Sequence, residues 1–135
     1  MSIDTILGGY TIDANGARHQ LSVVLNPSNS IIENTIKNAS IAGKGVIVLK
    51  CKSPPEIGPE KLELYMDAGN FFLMLGVNEV NGDYSVRTLT NENMSNELIA
   101  IMGEKYPARA VTHDIDLACT SFNEFSNFGD VSLMR

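Results

Sequence analysis

The sequence predicts an α+β fold: one largely antiparallel sheet of about six strands with two helices packed against it. Three observations lead there. Two Asn-Gly pairs, Asn15-Gly16 and Asn81-Gly82, separate strand-like stretches, and Asn-Gly is the strongest short hairpin signal because both turn residues take positive φ. The stretch from Leu62 to Asp67 alternates apolar and polar, which suits a strand with one wet side. Two segments carry apolar residues at helical spacing between a capping signal and a glycine stop.

The elements follow in order. Tyr10–Ala14 and Ala17–Leu25 flank Asn15-Gly16 as an N-terminal hairpin. Ser30 with Glu33 forms a capping box, Pro27 and Ser28 block any earlier start, and Ile32, Ile36 and Ala39 share a face up to Gly43. That is a helix of roughly three turns. Val46–Lys52 is a strand with Val46, Val48 and Lys50 on one face and Ile47, Leu49 and Cys51 on the other. The proline-rich run from Ser53 to Lys61 breaks it. Leu62–Ala68, Phe71–Val77 and Tyr84–Leu89 complete a four-stranded meander over residues 45–90. Phe71-Phe72-Leu73-Met74-Leu75 is apolar on both faces, so it is expected as a central strand covered on both sides. Residues 90–97 read as a polar loop, Leu98–Gly103 as a strand or one helical turn, and Tyr106–Asp114 as a brief strand with Pro107 near its start. The last segment is the clearest helix. Ile115, Ala118, Phe122 and Phe125 share a face, Asp114 and Asp116 sit in the first turn, and Gly129 ends it.

A chain of 135 residues falls within the ~100–200 residues of one domain, so residues 1–135 are expected to form a single α+β unit. Hydrophobic residues make up 44% and charged ones 19%, the ordinary globular range. Cys51 and Cys119 lie in apolar patterns and read as buried free thiols. The N-terminal ten residues have neither a basic region nor a long apolar one, and no apolar run reaches membrane-spanning length, so a cytoplasmic protein without a membrane is expected.

The net charge of −6 is unevenly spread. Residues 1–52 hold five bases and three acids, while residues 53–135 hold five bases and thirteen acids. Such a balance favours a basic partner. Nucleic acid is not expected, because Lys44, Lys50 and Lys52, with Arg18 and Lys37, supply too few charges to displace a counterion atmosphere. Catalysis is not expected either: there is no Gly-x-Ser-x-Gly elbow, phosphate-binding glycine loop or Gly-x-Gly-x-x-Gly. No catalytic residue, metal ligand or cofactor is assigned. His113, Asp114 and Asp116 raise the alternative of a small metal-dependent hydrolase, but two histidines in the whole chain do not complete a metal shell. A module self-associating through an open sheet edge is a further alternative.

Several segments carry a family resemblance. They are Pro54-Pro55-Glu56-Ile57-Gly58-Pro59, then Gly69-Asn70-Phe71-Phe72-Leu73-Met74-Leu75-Gly76, then Asp83-Tyr84-Ser85-Val86-Arg87-Thr88. The tail from Phe122 to Phe128, followed by Gly129-Asp130-Val131-Ser132, completes the set. From Gly8 to Ser132 the chain resembles small bacterial proteins similar in size and layout to immunity proteins of polymorphic toxins, including those of contact-dependent growth inhibition. The resemblance implies a cytoplasmic protein, a monomer or weak dimer, that binds a cognate toxin domain and blocks its active site or substrate path. A nuclease-type toxin suits the acidic balance, since a protein that holds a polyanion tends to be basic. Tyr65 and Tyr84 are then the candidate anchors, with Glu56, Glu60, Glu63, Asp67, Glu79 and Asp83 as the nearest acids.

Overall fold

Alternating side chains sort the strands onto two faces, and cross-strand register then stacks the apolar ones into rows. The computed structural model describes residues 3–90 and 95–134. In chain order the strands are β1 (Thr5–Ile12), β2 (Arg18–Gln20), β3 (Val24–Leu25), β4 (Lys44–Cys51), β5 (Gly58–Asp67), β6 (Asn70–Asn78), β7 (Tyr84–Thr88), β8 (Leu98–Ile101), β9 (Glu104–Pro107) and β10 (Val111–Thr112). Helix α1 spans Asn29–Ala42 and helix α2 spans Ile115–Phe128. The fold is α+β, as expected.

The main sheet has the order β10-β6-β5-β4-β1-β2, and every pairing in it is antiparallel. Each edge is shared by two short strands. β2 and β3 pair successive halves of β1, and β10 and β7 pair successive halves of β6. Eight strands therefore occupy six positions. The expected meander is β4 to β7. A second sheet, the hairpin β8–β9, was not expected from the sequence.

One face of the sheet carries the main core. Leu7, Leu49, Leu62 and Leu75 form one row, and Ile47, Leu64 and Leu73 form the next. Ile32, Ile36 and Ala39 of α1 and Ala118, Cys119, Phe122 and Phe125 of α2 cover these rows. Burying one such side chain contributes about 1.5–3 kcal/mol. The opposite face is covered only in part. There the β8–β9 hairpin seals a smaller cluster of Phe72, Ile101, Ala110 and Val111, with Tyr106 stacked on Phe72 at 4.1 Å between ring centroids. This accounts for the doubly apolar run at Phe71–Leu75: β6 lies between α2 on one side and the hairpin on the other.

Four local expectations are corrected. The α1 cap is Ser28, not a Ser30–Glu33 box, because Ser28 Oγ accepts from Ile31 N at 3.2 Å, so the helix begins two residues earlier. The second strand of the first hairpin is broken: Leu21 N donates to Gly9 O at 2.9 Å, and residues 21–23 leave the ladder between β2 and β3. Pro59 does not end the proline-rich loop outside the sheet but enters β5 at a register shift before Lys61. Tyr106–Asp114 is not one strand but the end of β9, a 3-10 turn over Ala108–Ala110 and β10. Part of the expected polar loop, residues 91–94, lies outside the described residues.

Candidate functional site

The alternation of β5 that buries Leu62, Leu64 and Met66 must turn Lys61, Glu63, Tyr65 and Asp67 to the other face. What covers that outer face varies along the strand. Tyr65 lies under the hairpin and is half-buried, and burial raises the pKa of its hydroxyl, with Glu63 adding to the effect. Asp67 is occupied structurally: its Oδ2 accepts from Met102 N at 3.0 Å and ties the β8–β9 turn to the end of β5. Beyond the hairpin the face is open.

The register places Lys50, Lys61, Gly76 and Val86 side by side across β4, β5, β6 and β7. Lys61 Nζ pairs with Glu63 Oε1 at 3.1 Å, and this bond raises the lysine's pKa. The tip of the Tyr84 ring reaches over Gly76, where a Cβ would collide with the phenol oxygen. A larger residue at position 76 would displace the exposed phenol rather than the sheet, so glycine is what lets the tyrosine settle there. Burial against the sheet pushes the Tyr84 hydroxyl up, while neighbouring Lys61 opposes the shift. Tyr84 remains 46% exposed and Val86 54% exposed. Glu60, at the register shift of β5, is close enough to act electrostatically on both Lys61 and Tyr84.

Of the eight residues expected to bind a partner, the structure gathers Glu60, Glu63 and Tyr84 on one open patch. Tyr65 is on the same face but roofed by the hairpin, and Asp67 is spent on the hairpin's backbone. Glu79 points elsewhere. Its carboxylate accepts from Ser85 Oγ and from Arg87 Nη2 at 3.2 Å, and those two residues pair with Val77 and Leu75, whose side chains face the helices. Asp83 stays in its turn, accepting from Asn81 Nδ2 at 3.0 Å. Glu56 is exposed in a loop that Asn78 Nδ2 pins by donating to Pro55 O at 2.9 Å. Sequence reasoning missed Lys61, Gly76 and Val86. The signal for Val86 was its two-residue spacing from Tyr84; nothing local marked Gly76.

Glu79 carries a pH prediction. Ser85 Oγ first, then Arg87, hold its carboxyl below the usual carboxylate value. A depressed folded value stabilises the β6–β7 turn above the unfolded pKa, and that contribution is lost as pH falls through the folded one. Ser85→Ala should raise the Glu79 midpoint, read from its side-chain carboxyl ¹³C shift. An unmoved midpoint would remove Ser85 as the cause.

The remaining chemistry-bearing groups have structural partners. His113 Nε2 is 2.8 Å from Asn70 Oδ1, and Asp114 Oδ1 caps α2 by accepting from Asp116 N and Leu117 N at 3.0 and 3.2 Å. His19 Nε2 is 2.8 Å from Asp13 Oδ2. Cys51 and Cys119 are buried free thiols, and burial raises both pKa values, away from the reactive thiolate. Among the described residues no three His, Cys, Asp or Glu side chains are grouped to hold a metal ion. Among them, too, no helix is long and apolar enough to cross a membrane.

The class defined by these features is an α+β sheet protein whose sheet is covered by helices on one side and half covered by a hairpin on the other. The chain belongs to a family of unknown function, DUF6911, whose model matches residues 4–135. It is similar to a crystal structure described as a hypothetical protein from Neisseria gonorrhoeae, with 26% identity, a TM-score of 0.83, and coverage of 98% of this chain and 93% of the other. No curated protein matches.

Proposed function

We propose that this chain is a binding protein that holds another protein against the open outer face at β5–β7, and that the partner is a toxin domain it neutralises. The observation carrying the binding role is the patch itself. Exposed Tyr84 and Val86 lie beside Gly76 and the Lys61–Glu63 pair on a face the hairpin leaves uncovered. Aromatic residues on a flat, rigid surface are the usual anchors of an interface, which needs about 800 Å² per partner. The toxin role rests on the resemblance of residues 8–132 to immunity proteins. The net charge of −6 supports a basic partner by steering its approach.

Co-expression with a toxin domain, sought in the gene immediately upstream, is the test. The expected result is restored growth and a purified complex. Tyr84→Ala and Val86→Asp, both surface changes, should weaken the complex by roughly 30-fold each, the scale of an anchor residue. No complex and no rescue would end the toxin reading. Rescue undiminished by either variant would move the interface off this face.

A further inference from the structure

A second surface feature lies on the helix side of the sheet, away from the patch just described. The chain leaves β3 at Asn26 and Pro27 and enters α1 through its cap, Ser28. Beside this corner is a cleft of about 460 Å³ walled by Thr5, Asn26, Ser28, Asn29, Ser30 and Ser126, among others. Among the described residues no charged side chain lines it. Ligand pockets commonly run about 300–1,000 Å³, so the volume admits one small group with a substituent.

The cleft is rich in unused donors. A helix start leaves its first N–H groups without intrahelical partners. In α1 one of these is satisfied, since Ile31 N donates to Ser28 Oγ at 3.2 Å, and the helical ladder begins with Ile32 N donating to Ser28 O at 3.0 Å. The N–H groups of Asn29 and Ser30 have no partner among the described residues. No acid occupies the first turn, so the positive end of the helix dipole is not neutralised there.

Two hydroxyl-bearing residues that line the cleft are more than nine-tenths buried. Thr5 is 0% exposed, and its Oγ1 has no hydrogen-bond partner among the described residues. Its backbone is tied to the same corner: Thr5 N donates to Asn26 Oδ1 at 2.9 Å, and Asn26 N donates to Thr5 O at 2.8 Å. Ser126 is 6% exposed, and among the described residues its hydroxyl likewise has no partner, whereas Ser121 Oγ, one turn earlier in α2, donates to Leu117 O at 2.9 Å. Leaving a buried hydroxyl unbonded is costly, and an acceptor in the cleft would remove that cost. The cleft therefore gathers donor-bearing residues from β1, from the start of α1 and from α2, and among the described residues no carboxylate lines it to oppose an anion.

We propose that this cleft binds a phosphate-type oxyanion, as inorganic phosphate or as the phosphate of a small monoester. Its oxygens would take the Asn29 and Ser30 N–H groups and the Ser126 and Thr5 hydroxyls, the arrangement by which helix starts bind anions. The site is independent of the partner-binding patch, and its occupancy does not depend on that reading.

The test is titration of the full chain with sodium phosphate and, separately, with glycerol phosphate at constant ionic strength, followed by amide ¹H–¹⁵N shifts. The expected result is saturable shifts centred on Asn29, Ser30 and Ser126, with the tighter of the two ligands identifying the source. Asn29→Pro is the sharpest variant. Ser28 has φ −70° and ψ 163°, an extended conformation that accepts a following proline, and proline is favoured at the first helical position, so the N–H is lost, together with the Asn29 carboxamide, while the helix start is kept. Asn29→Pro and Ser126→Ala should each weaken binding about tenfold or more, as expected for one hydrogen bond to a charged acceptor. Absence of saturable binding by both ligands would overturn the proposal, as would binding that both variants leave intact.

Discussion

Gly9→Ala is expected to destabilise the protein by about 2–6 kcal/mol, while Gly8→Ala, one residue away, should change stability by less than about 0.5 kcal/mol. The reason lies in how β1 is shared. On one side it pairs with β4 along its whole length, and on the other it hands over from β2 to β3 near Gly8 and Gly9. Gly9 makes the handover possible with φ of 140°, a conformation L side chains rarely adopt, and it stands opposite Ile47. An added Cβ would strike the carbonyl oxygen of Val46, backbone that cannot step aside without breaking the β1–β4 ladder. The strained backbone costs about 1–3 kcal/mol and the overlap a further ~1–3 kcal/mol. At Gly8 the new methyl would meet only Val23 Cγ2 at 3.9 Å, ordinary contact. Urea unfolding of the two variants separates the cases. Equal midpoints would mean that Gly9 is not the pivot of the sheet.

The same pair of glycines shows where sequence reasoning stops. Asn15-Gly16 located the hairpin, since a tight turn is a local signal. The break between β2 and β3 was not legible, because it depends on which half of β1 each short strand meets, a non-local fact. The long helical faces, Ile32-Ile36-Ala39 and Ala118-Phe122-Phe125, were legible because they repeat with the helix period. So was the double covering of Phe71–Leu75, but not the identity of the cover. Leu98–Ile101 is only four residues long, too short for a period, and its partner β9 begins just three residues later. Of the site, the alternation of β5 placed Glu63 and Tyr65 on one face. It could not say that the hairpin would roof Tyr65 and leave Tyr84 open. The acids were chosen by nearness in sequence, and Glu79 shows the limit: two strand positions decide which face its partners occupy. The α1 cleft was invisible for the same reason, since Thr5, Ser28 and Ser126 come from three distant segments.

Phe122→Ala should cost about 3–5 kcal/mol, a large share of the ~5–15 kcal/mol that holds such a domain together. Phe122 is fully buried on the inner face of α2, in the cluster that also holds Leu62, Leu64 and Leu73 of the sheet and Ile32 and Ile36 of α1. Truncating it loses the transfer energy of the ring and leaves a void that helices fixed to a continuous sheet can close only in part. Phe128, on the same helix, is 74% exposed, and its truncation should shift stability by no more than about 0.5 kcal/mol. The comparison isolates burial from helix propensity, since both variants place alanine in α2. Phe122→Leu should recover much of the loss by refilling the void. The open patch at Tyr84 lies on the other side of the sheet from this core, so a core variant that still folds should leave partner binding there unchanged, whereas Ser126, one turn along α2 from Phe122, links the cleft to this packing. If Phe122→Ala unfolded at the wild-type urea concentration, α2 would not be packed through this face, and the position of Ser126 over the cleft would fall with it.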